Sequence, residues 1–279
     1  YLKLHKIDLI HAHTTSYFMA TLVKLIYPRI KLIWHTHLGS RVHTSRWQNK
    51  VLYLCSLFFA AIITVNEDLK SWCRRKLIPA QVFYLPNFVS VGVTEEKTLR
   101  EPTIICLANL KTPKNHLNLI RAFEKIHRKF PNWKLLLAGK DFLDDYSKEL
   151  NEKTKEAGLQ NKVVFLGQQK DVASLLHKSA IGVLASDSEG LPMAMLEYGA
   201  AGLAVVVTRV GYCEEVVAGF GQVVPPNDAD ALAHSLESYM VDEKKRRADG
   251  ALFRKHIQKN YSEKAVLPQL INMYKKSSY

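Results

Sequence analysis

No apolar run in this sequence is long enough to cross a bilayer. The most apolar stretch, Val51 to Val65, is about 15 residues, short of the roughly 20 that a spanning helix needs. It reads as a buried helix passing into a strand at Ala61–Val65. No secretory leader and no initiator Met are visible in these 279 residues, and the chain opens inside a segment patterned like an ordered one, Tyr1 to Ile10. The natural N-terminus is therefore expected upstream. Cysteine is scarce: Cys55, Cys73, Cys106 and Cys213 have neither metal-ligand spacing nor a paired pattern. Three sit in apolar surroundings, which suits buried thiols in a reducing cytoplasm. A Gly-x-Gly-x-x-Gly turn is missing as well. The post-strand turns read Gly139-Lys-Asp and Gly167-Gln-Gln, which argues against a dinucleotide-dependent oxidoreductase. Acids are few at the start: residues 1–90 carry 12 Lys/Arg against 3 Asp/Glu, and the remainder 27 against 23. A basic first third suits phosphate esters, nucleic acid or an anionic membrane face, or is simply a solvated surface. No aromatic-interleaved basic motif supports the nucleic-acid option.

What is present is an ordinary globular balance, 47% apolar and 23% charged over 279 residues, enough for one large or two ordinary domains. Short apolar runs alternate with helix-length amphipathic segments. Strands are expected at Leu9–His11, Lys31–Trp34, Ala61–Val65, Val82–Tyr84 and Thr103–Ala108. Five more follow at Lys134–Ala138, Val163–Leu166, Ile181–Leu184, Ala204–Thr208 and Gln222–Val224. Helices are expected at His116–Phe130, with Leu117, Ile120, Phe123 and Ile126 on one stripe, at Asp228–Met240 and at Ser262–Lys276. Strands separated by such helices imply parallel βαβ units and doubly wound α/β sheets. The series breaks between Pro86 and Pro102, where Glu95, Glu96 and Lys97 lie among prolines. The expected division is 1–88, then 89–261, then a terminal helix over 262–279 that packs back toward the first domain.

The informative segment is Ser186-Asp-Ser-Glu-Gly-Leu-Pro-Met-Ala-Met-Leu-Glu197. A strand ends, a loop carries Glu189, and Pro192 stands where a first helical residue belongs. The helix Pro192–Ala201 then offers bare amides near Gly190 and Leu191 at the carboxyl edge of the sheet, a place that binds anions such as diphosphate. Glu197 lies about 7 Å further along the axis, where its carboxylate can accept both hydrogens of a vicinal diol such as ribose. Glu189, at the mouth, would hold hydroxyls on the far side of the diphosphate. Taken singly, the two acids read as a helix-start acid and a solvated helix residue. Taken together with the strand, the loop and Pro192, they describe a nucleotide-sugar.

Glu-Gly-Leu-Pro followed by Glu resembles the signature of retaining family-4 (group 1) glycosyltransferases with the GT-B fold. Further segments fall in family order: Ile7-Asp-Leu-Ile-His-Ala-His13, Trp34-His-Thr-His37, Leu85-Pro-Asn87, Ala108-Asn-Leu-Lys-Thr-Pro-Lys114, Phe165-Leu-Gly167, Val210-Gly-Tyr-Cys-Glu-Glu215 and Val224-Pro-Pro-Asn-Asp228. The resemblance implies two Rossmann-like domains, the first of them incomplete by about half. It implies that Glu189 meets donor-sugar hydroxyls, Glu197 the ribose diol and Lys114 the donor phosphates. Gln168 and Gln169 would sit at the nucleobase. Asn109 stands where many relatives carry Arg, so the first phosphate contact loses its charge unless Lys111 supplies one. His35, expected just past its strand, matches the family histidine that faces the donor sugar, and Thr36 could donate to a phosphate oxygen. His11, His13 and His37 lie near, as acceptor-side or structural groups. Their spacing across two strand ends, with no carboxylate or thiol, argues against zinc. Glu215 reads as a helix cap or a ligand contact.

The function implied is transfer of a hexose from a nucleoside-diphosphate sugar, with retention and with no metal or other cofactor. The acceptor would be a glycan or lipid-linked molecule, as in capsule or lipopolysaccharide synthesis. The partners expected are the nucleotide-sugar, that acceptor and an anionic membrane surface touched through the basic first third near Trp47, Phe58 and Phe59, not nucleic acid. The location implied is cytoplasmic, peripheral at the inner face of the cell membrane. The competing reading is a non-catalytic basic module binding polysaccharide or nucleic acid.

Overall fold

The computed structural model describes residues 4–37, 49–78, 81–92 and 100–278. Trp47 and the linker residues Glu95, Glu96 and Lys97 lie outside these. The chain forms two units, Tyr1–Asn87 with Lys264–Tyr279, and Phe88–Glu263.

The first unit runs β1 (Leu9–His13), α1 (Tyr17–Ile26), β2 (Lys31–Thr36), α2 (Lys50–Ser56), β3 (Ala61–Thr64), α3 (Glu67–Lys76) and β4 (Val82–Tyr84). Its four strands are parallel, in the order β1-β2-β3-β4. Central strands of a covered parallel sheet are apolar on both faces, and Leu32, Ile33, Trp34, Ala61, Ile62 and Ile63 are all fully buried. Trp34 anchors the core: Tyr17 and Phe59 lie 5.6 and 5.7 Å from its ring, and its Nε1–H donates to Thr14 O at 2.8 Å. Helix α3 starts because Asn66 Oδ1 accepts the Leu69 N–H at 2.8 Å, with Glu67 and Asp68 in the first turn and Arg74, Arg75 and Lys76 in the last. Each charge opposes the end of the helix dipole beside it.

The second unit runs β5 (Thr103–Leu107), α4 (His116–Ile126), β6 (Lys134–Ala138), α5 (Asp145–Glu156), β7 (Val163–Gly167), α6 (Val172–Lys178), β8 (Ile181–Leu184), α7 (Met193–Ala200), β9 (Ala204–Thr208), α8 (Cys213–Val217), β10 (Gln222–Val224), α9 (Ala229–Val241) and α10 (Glu243–Asn260). The chain ends in α11 (Glu263–Ser278). The parallel sheet has the order β10-β9-β8-β5-β6-β7. Asn115, Asp144, Asp171, Asp228 and Asp242 each cap their helix by accepting an amide three residues on. One face of the sheet is covered by Phe123, Leu232 and Tyr239, the other by Tyr198, Phe253 and Ile257.

Strand order reverses between β5 and β8, and there the two strands part. They pair only at Ile104–Ile181 and Ile105–Gly182. Beyond that the Tyr198 phenol enters the gap, accepting the Leu107 N–H at 2.7 Å and donating to Val183 O at 3.2 Å. Gly182 makes the room, since a Cβ there would stand 2.5 Å from the Tyr198 ring. Such a switch point leaves a crevice at the carboxyl ends of the strands.

Five strands have the expected bounds and the others differ by one or two residues, which leaves the expected α/β class intact. Three expectations need correction. Pro192 is the cap residue before α7, not its first helical position, with φ −71° and ψ 125°. Strands β1 and β2 continue two residues further because parallel pairing persists to His13–His35 and Thr36–Thr64, so His35 lies inside its strand. The helix within Val51–Val65 is not buried all round. Seven residues long, it turns Leu52 and Cys55 inward and leaves Val51, Tyr53 and Leu54 45–59% exposed.

Candidate functional site

The crevice at the switch point is a cleft of about 340 Å³. Its walls combine Asn109 and Lys114 after β5, Gly139 after β6, Gln168 and Gln169 after β7, and Pro192, Met193, Ala194 and Glu197 at the start of α7. Gly139 is required there, because a Cβ would come within 2.1 Å of Ala108 O. Its N–H donates to Gly167 O at 3.0 Å, which draws the ends of β5, β6 and β7 together into one floor. Helix α7 has no side-chain cap and no acid in its first turn. Its opening amides and positive dipole end thus meet no competing anion from their own sequence.

Glu197, the fifth residue of α7, is half-buried, and burial raises its carboxyl above the usual range. An acceptor set in the cleft with part of its hydration removed is suited to a ligand's hydroxyls. Lys114 Nζ is 2.6 Å from Glu189 Oε1, which also accepts the Ser186 hydroxyl at 2.6 Å. Glu189 is only 7% exposed against 23% for Lys114. Glu189 therefore lies behind the cleft wall, with the ammonium between it and the open space. Its loop is held from the other side: Tyr212 N–H donates to Gly190 O at 3.1 Å, and Gly211, at φ 52°, packs so tightly that a Cβ would meet Glu189 O at 2.2 Å.

The remaining expected residues fall as follows. Gln168 lines the cleft, and Gln169 beside it donates to Leu166 O. Asn109 lines it too, but its Oδ1 accepts the Lys140 N–H at 2.9 Å, bracing the loop rather than presenting a charge. Lys111 is exposed and outside the lining, so it does not replace the charge that Asn109 lacks. Gly190 and Leu191 are also outside it, and the Leu191 side chain is core. Glu215 is exposed at the third position of α8, whose cap residue is Tyr212, so it is not the cap. Thr36 contradicts the expectation of a phosphate donor: strand alternation turns it away from His35 and leaves it wholly buried. Three contributors escaped sequence reading, namely Ser186, Gly182 and Tyr198. Glycine inside an apolar strand, 16 residues before a tyrosine in a helix, was the available signal for the last two.

In the first unit, His11, His13, His35 and His37 share one face of the β1–β2 pair. Residues two apart on a strand point the same way, and the register sets His13 beside His35. Ring centroids are 4.3 Å apart for His11–His13 and 4.1 Å for His35–His37. His11 Nδ1 lies 2.6 Å from the Tyr274 hydroxyl, His13 Nδ1 2.9 Å from His37 Nε2, and His37 Nδ1 3.2 Å from Asn87 Oδ1. Burial first, then the neighbouring imidazoles, hold His11 at about 4 and His35 at about 2. Burial also lowers His37, against the bond from Asn87. Both ring nitrogens of His35, and Nε2 of His11, are buried without a partner. Such a group costs about 1–3 kcal/mol.

Two family profiles match this chain. One described as "Glycosyl transferases group 1" covers residues 94–251, more than half of the chain, and one described as "Glycosyltransferase Family 4" covers residues 1–92. The chain is 26% identical over 243 residues to an exopolysaccharide phosphotransferase, SCO2592, of Streptomyces coelicolor, covering 85% of this chain and 25% of that protein. It is 27% identical over 219 residues to the N-acetyl-alpha-D-glucosaminyl L-malate synthase of Bacillus anthracis, covering 76% of this chain and 55% of that one. The chain thus spans between a quarter and little more than half of the length of these curated relatives. Among solved structures, HepE of Anabaena in complex with UDP superposes with a TM-score of 0.85 at 20% identity, over 98% of this chain and 80% of that one. Sucrose-phosphate synthase of Thermosynechococcus elongatus gives 0.81 at 19%, over 99% and 75%. At that identity the likeness speaks for the fold, two Rossmann-like parallel-sheet units of the GT-B kind.

Proposed function

This chain belongs to the group 1 glycosyltransferases, and from that premise we propose that it transfers a hexose from a nucleoside-diphosphate sugar to a glycan or lipid-linked acceptor, with retention and with no metal at the diphosphate. The observation that carries the reading is the cleft itself. A bare helix start, an ammonium and a half-buried carboxylate face one space at a switch point. UDP and UDP-glucose occur in complexes of HepE, whose fold this chain shares.

The α7 amides and Lys114 supply positive charge where negative charge grows as the nucleoside diphosphate departs, the part a metal plays elsewhere. When the phosphates draw Lys114 away, Glu189 loses its cation and becomes an acceptor for sugar hydroxyls. Glu197 takes the ribose diol, and Gln168 borders the base. Retention then follows from front-side attack, with the departing diphosphate accepting the proton of the incoming hydroxyl. His35, with His13 and His37, is assigned to the reacting sugar and the acceptor side.

Contact with an anionic bilayer, and with it a peripheral place at the inner face of the cell membrane, is supported by the basic first third and by apolar side chains on α1 and α2. Met19, Leu25, Ile26 and Leu54 are 54–71% exposed. Among the described residues no helix is long and apolar enough to cross a membrane.

Labelled UDP- and GDP-sugars, offered with and without a polyprenyl-phosphate glycan, test the reading by nucleotide release and product formation. A purely binding protein would release no nucleotide from any donor. For Glu189→Gln, loss should appear with the sugar-bearing donor and not with the bare nucleoside diphosphate; equal loss on both would remove the role assigned to it.

A further inference from the structure

We propose that His11, His13 and His35 form a binding site for one transition-metal dication of the zinc class within the first unit, on the same ring cluster that the proposed function assigns to the reacting sugar and the acceptor side. The spacing of these residues in the chain argues against metal, yet the fold supplies what spacing hides. Parallel register brings two residues of β1 and one of β2 to one face, and one nitrogen from each lies within 4.8 Å of the others.

The hydrogen bonds admit a set of tautomers that frees a lone pair on the ligand rings. Asn87 Oδ1 accepts from His37 Nδ1, so His37 Nε2 holds a lone pair and accepts from His13 Nδ1. That leaves the lone pair of His13 on Nε2. With Nδ1 of His11 donating to the Tyr274 hydroxyl, its lone pair also falls on Nε2, an atom that is buried without a partner. A ring that donates one N–H to an outer partner while presenting its other nitrogen is the usual arrangement of a metal-bound histidine. His35 is 7% exposed with both nitrogens orphaned, and an ion satisfies such a group directly. Three imidazoles, with no carboxylate among them, select zinc, copper or nickel over magnesium or calcium.

Around a tetrahedral zinc with Zn–N near 2.1 Å, ligand nitrogens stand about 3.4 Å apart. Side-chain rotations on two paired strands, closing the cluster by roughly an ångström, suffice. The fourth position remains for water or an incoming group. Tyr274 acts as a positioning residue on His11, and His37, itself held by Asn87, does so on His13; none offers a ligand atom of the set.

The test uses the tag-free chain, stripped with chelator and titrated with Co2+ as a visible probe, then with Zn2+. One equivalent of Co2+ is expected to give an intense d–d band that Zn2+ abolishes. Losing an outer partner lowers metal affinity about 10- to 100-fold, so Tyr274→Phe should fall in that range. His11→Ala and His13→Ala, each losing a ligand, should fall at least about 100-fold. His234→Ala, an exposed histidine of the second unit, should titrate like the parent. Because His35 is buried and its removal risks misfolding, the exposed His13 carries the test, with circular dichroism verifying the fold. Absence of any d–d band, or parent-like titration of both His11→Ala and His13→Ala, would overturn the proposal.

Discussion

Replacing Glu197 is the sharpest probe of the proposed donor cleft, because the same carboxylate should have opposite effects on the empty and the filled protein. In the empty protein burial already disfavours its charge. The removal of water has thus been partly met before any ligand arrives, and a ribose diol gains two hydrogen bonds to an anion. Each such bond contributes about 1.5–3 kcal/mol. Taking the low end for both, since the diol also sheds water, gives about 3 kcal/mol, or roughly 150-fold in Kd. Glu197→Ala should lose that factor for UDP or GDP by calorimetry, and Glu197→Gln, which keeps one neutral acceptor, should fall between. The control is chemical. A 2′,3′-dideoxy nucleotide should bind the parent about as weakly as the normal nucleotide binds Glu197→Ala, and the variant should not distinguish the two. The pH dependence follows from the raised folded pKa. Between the unfolded and folded values the native state holds the extra proton, so this group's contribution to stability is full below that window and is lost as pH rises through it. At neutral pH the unliganded Glu197→Gln chain should therefore melt no lower than the parent while binding nucleotide more weakly. Nucleotide affinity of Glu197→Ala within about twofold of the parent would refute the assignment, as would a loss that persists with the dideoxy nucleotide.

Lys114→Met should weaken nucleoside diphosphate binding by about 10- to 150-fold, one charge-assisted bond, and flatten its salt dependence, while leaving the free nucleoside unaffected. Because the change strands Glu189, which is 7% exposed, the single variant should also lose stability. Lys114→Met with Glu189→Gln should restore the melting temperature but not the affinity. Gly182→Ala places a Cβ 2.5 Å from the Tyr198 ring. It should cost about 1–3 kcal/mol by overpacking, seen in urea unfolding. By shifting the phenol out of the β5–β8 gap it should weaken nucleotide binding as well; a stable variant with parent affinity would separate Tyr198 from the cleft's shape. Arg100 donates to four carbonyls, of Leu176, Ser179, Ala201 and Gly202. Burial pulls it down to about 10, and it remains cationic at neutral pH. Arg100→Met should therefore destabilise by about 3 kcal/mol or more, by leaving those acceptors and the pocket around them unpaired. A loss under about 1 kcal/mol in chemical unfolding would show that water serves them equally well.

The strands were legible because parallel strands covered on both sides are written as continuous apolar runs. Ile181–Leu184 and Ala204–Thr208 leave no alternative of similar length. The candidate cleft was legible as a meeting place for a related reason: its groups come from loops that follow strands, so their place in the chain already ranks them along one sheet edge. What the sequence hid depends on contacts between segments far apart in it. Nothing local says that Tyr198 fills a gap between β5 and β8, or that Lys114 rests against Glu189, 75 residues away. The histidines show the point most clearly. Judged by spacing they belong to two unrelated strand ends. Judged by register, two residues of pairing beyond Trp34 set His35 beside His13 and bury its nitrogens without partners. The same two residues turn Thr36 to the other face and remove it from any phosphate site. Where a strand stops is the boundary that local sequence specifies least, because pairing with neighbours, not propensity, decides it. In this chain that boundary decides which side chains are available for chemistry.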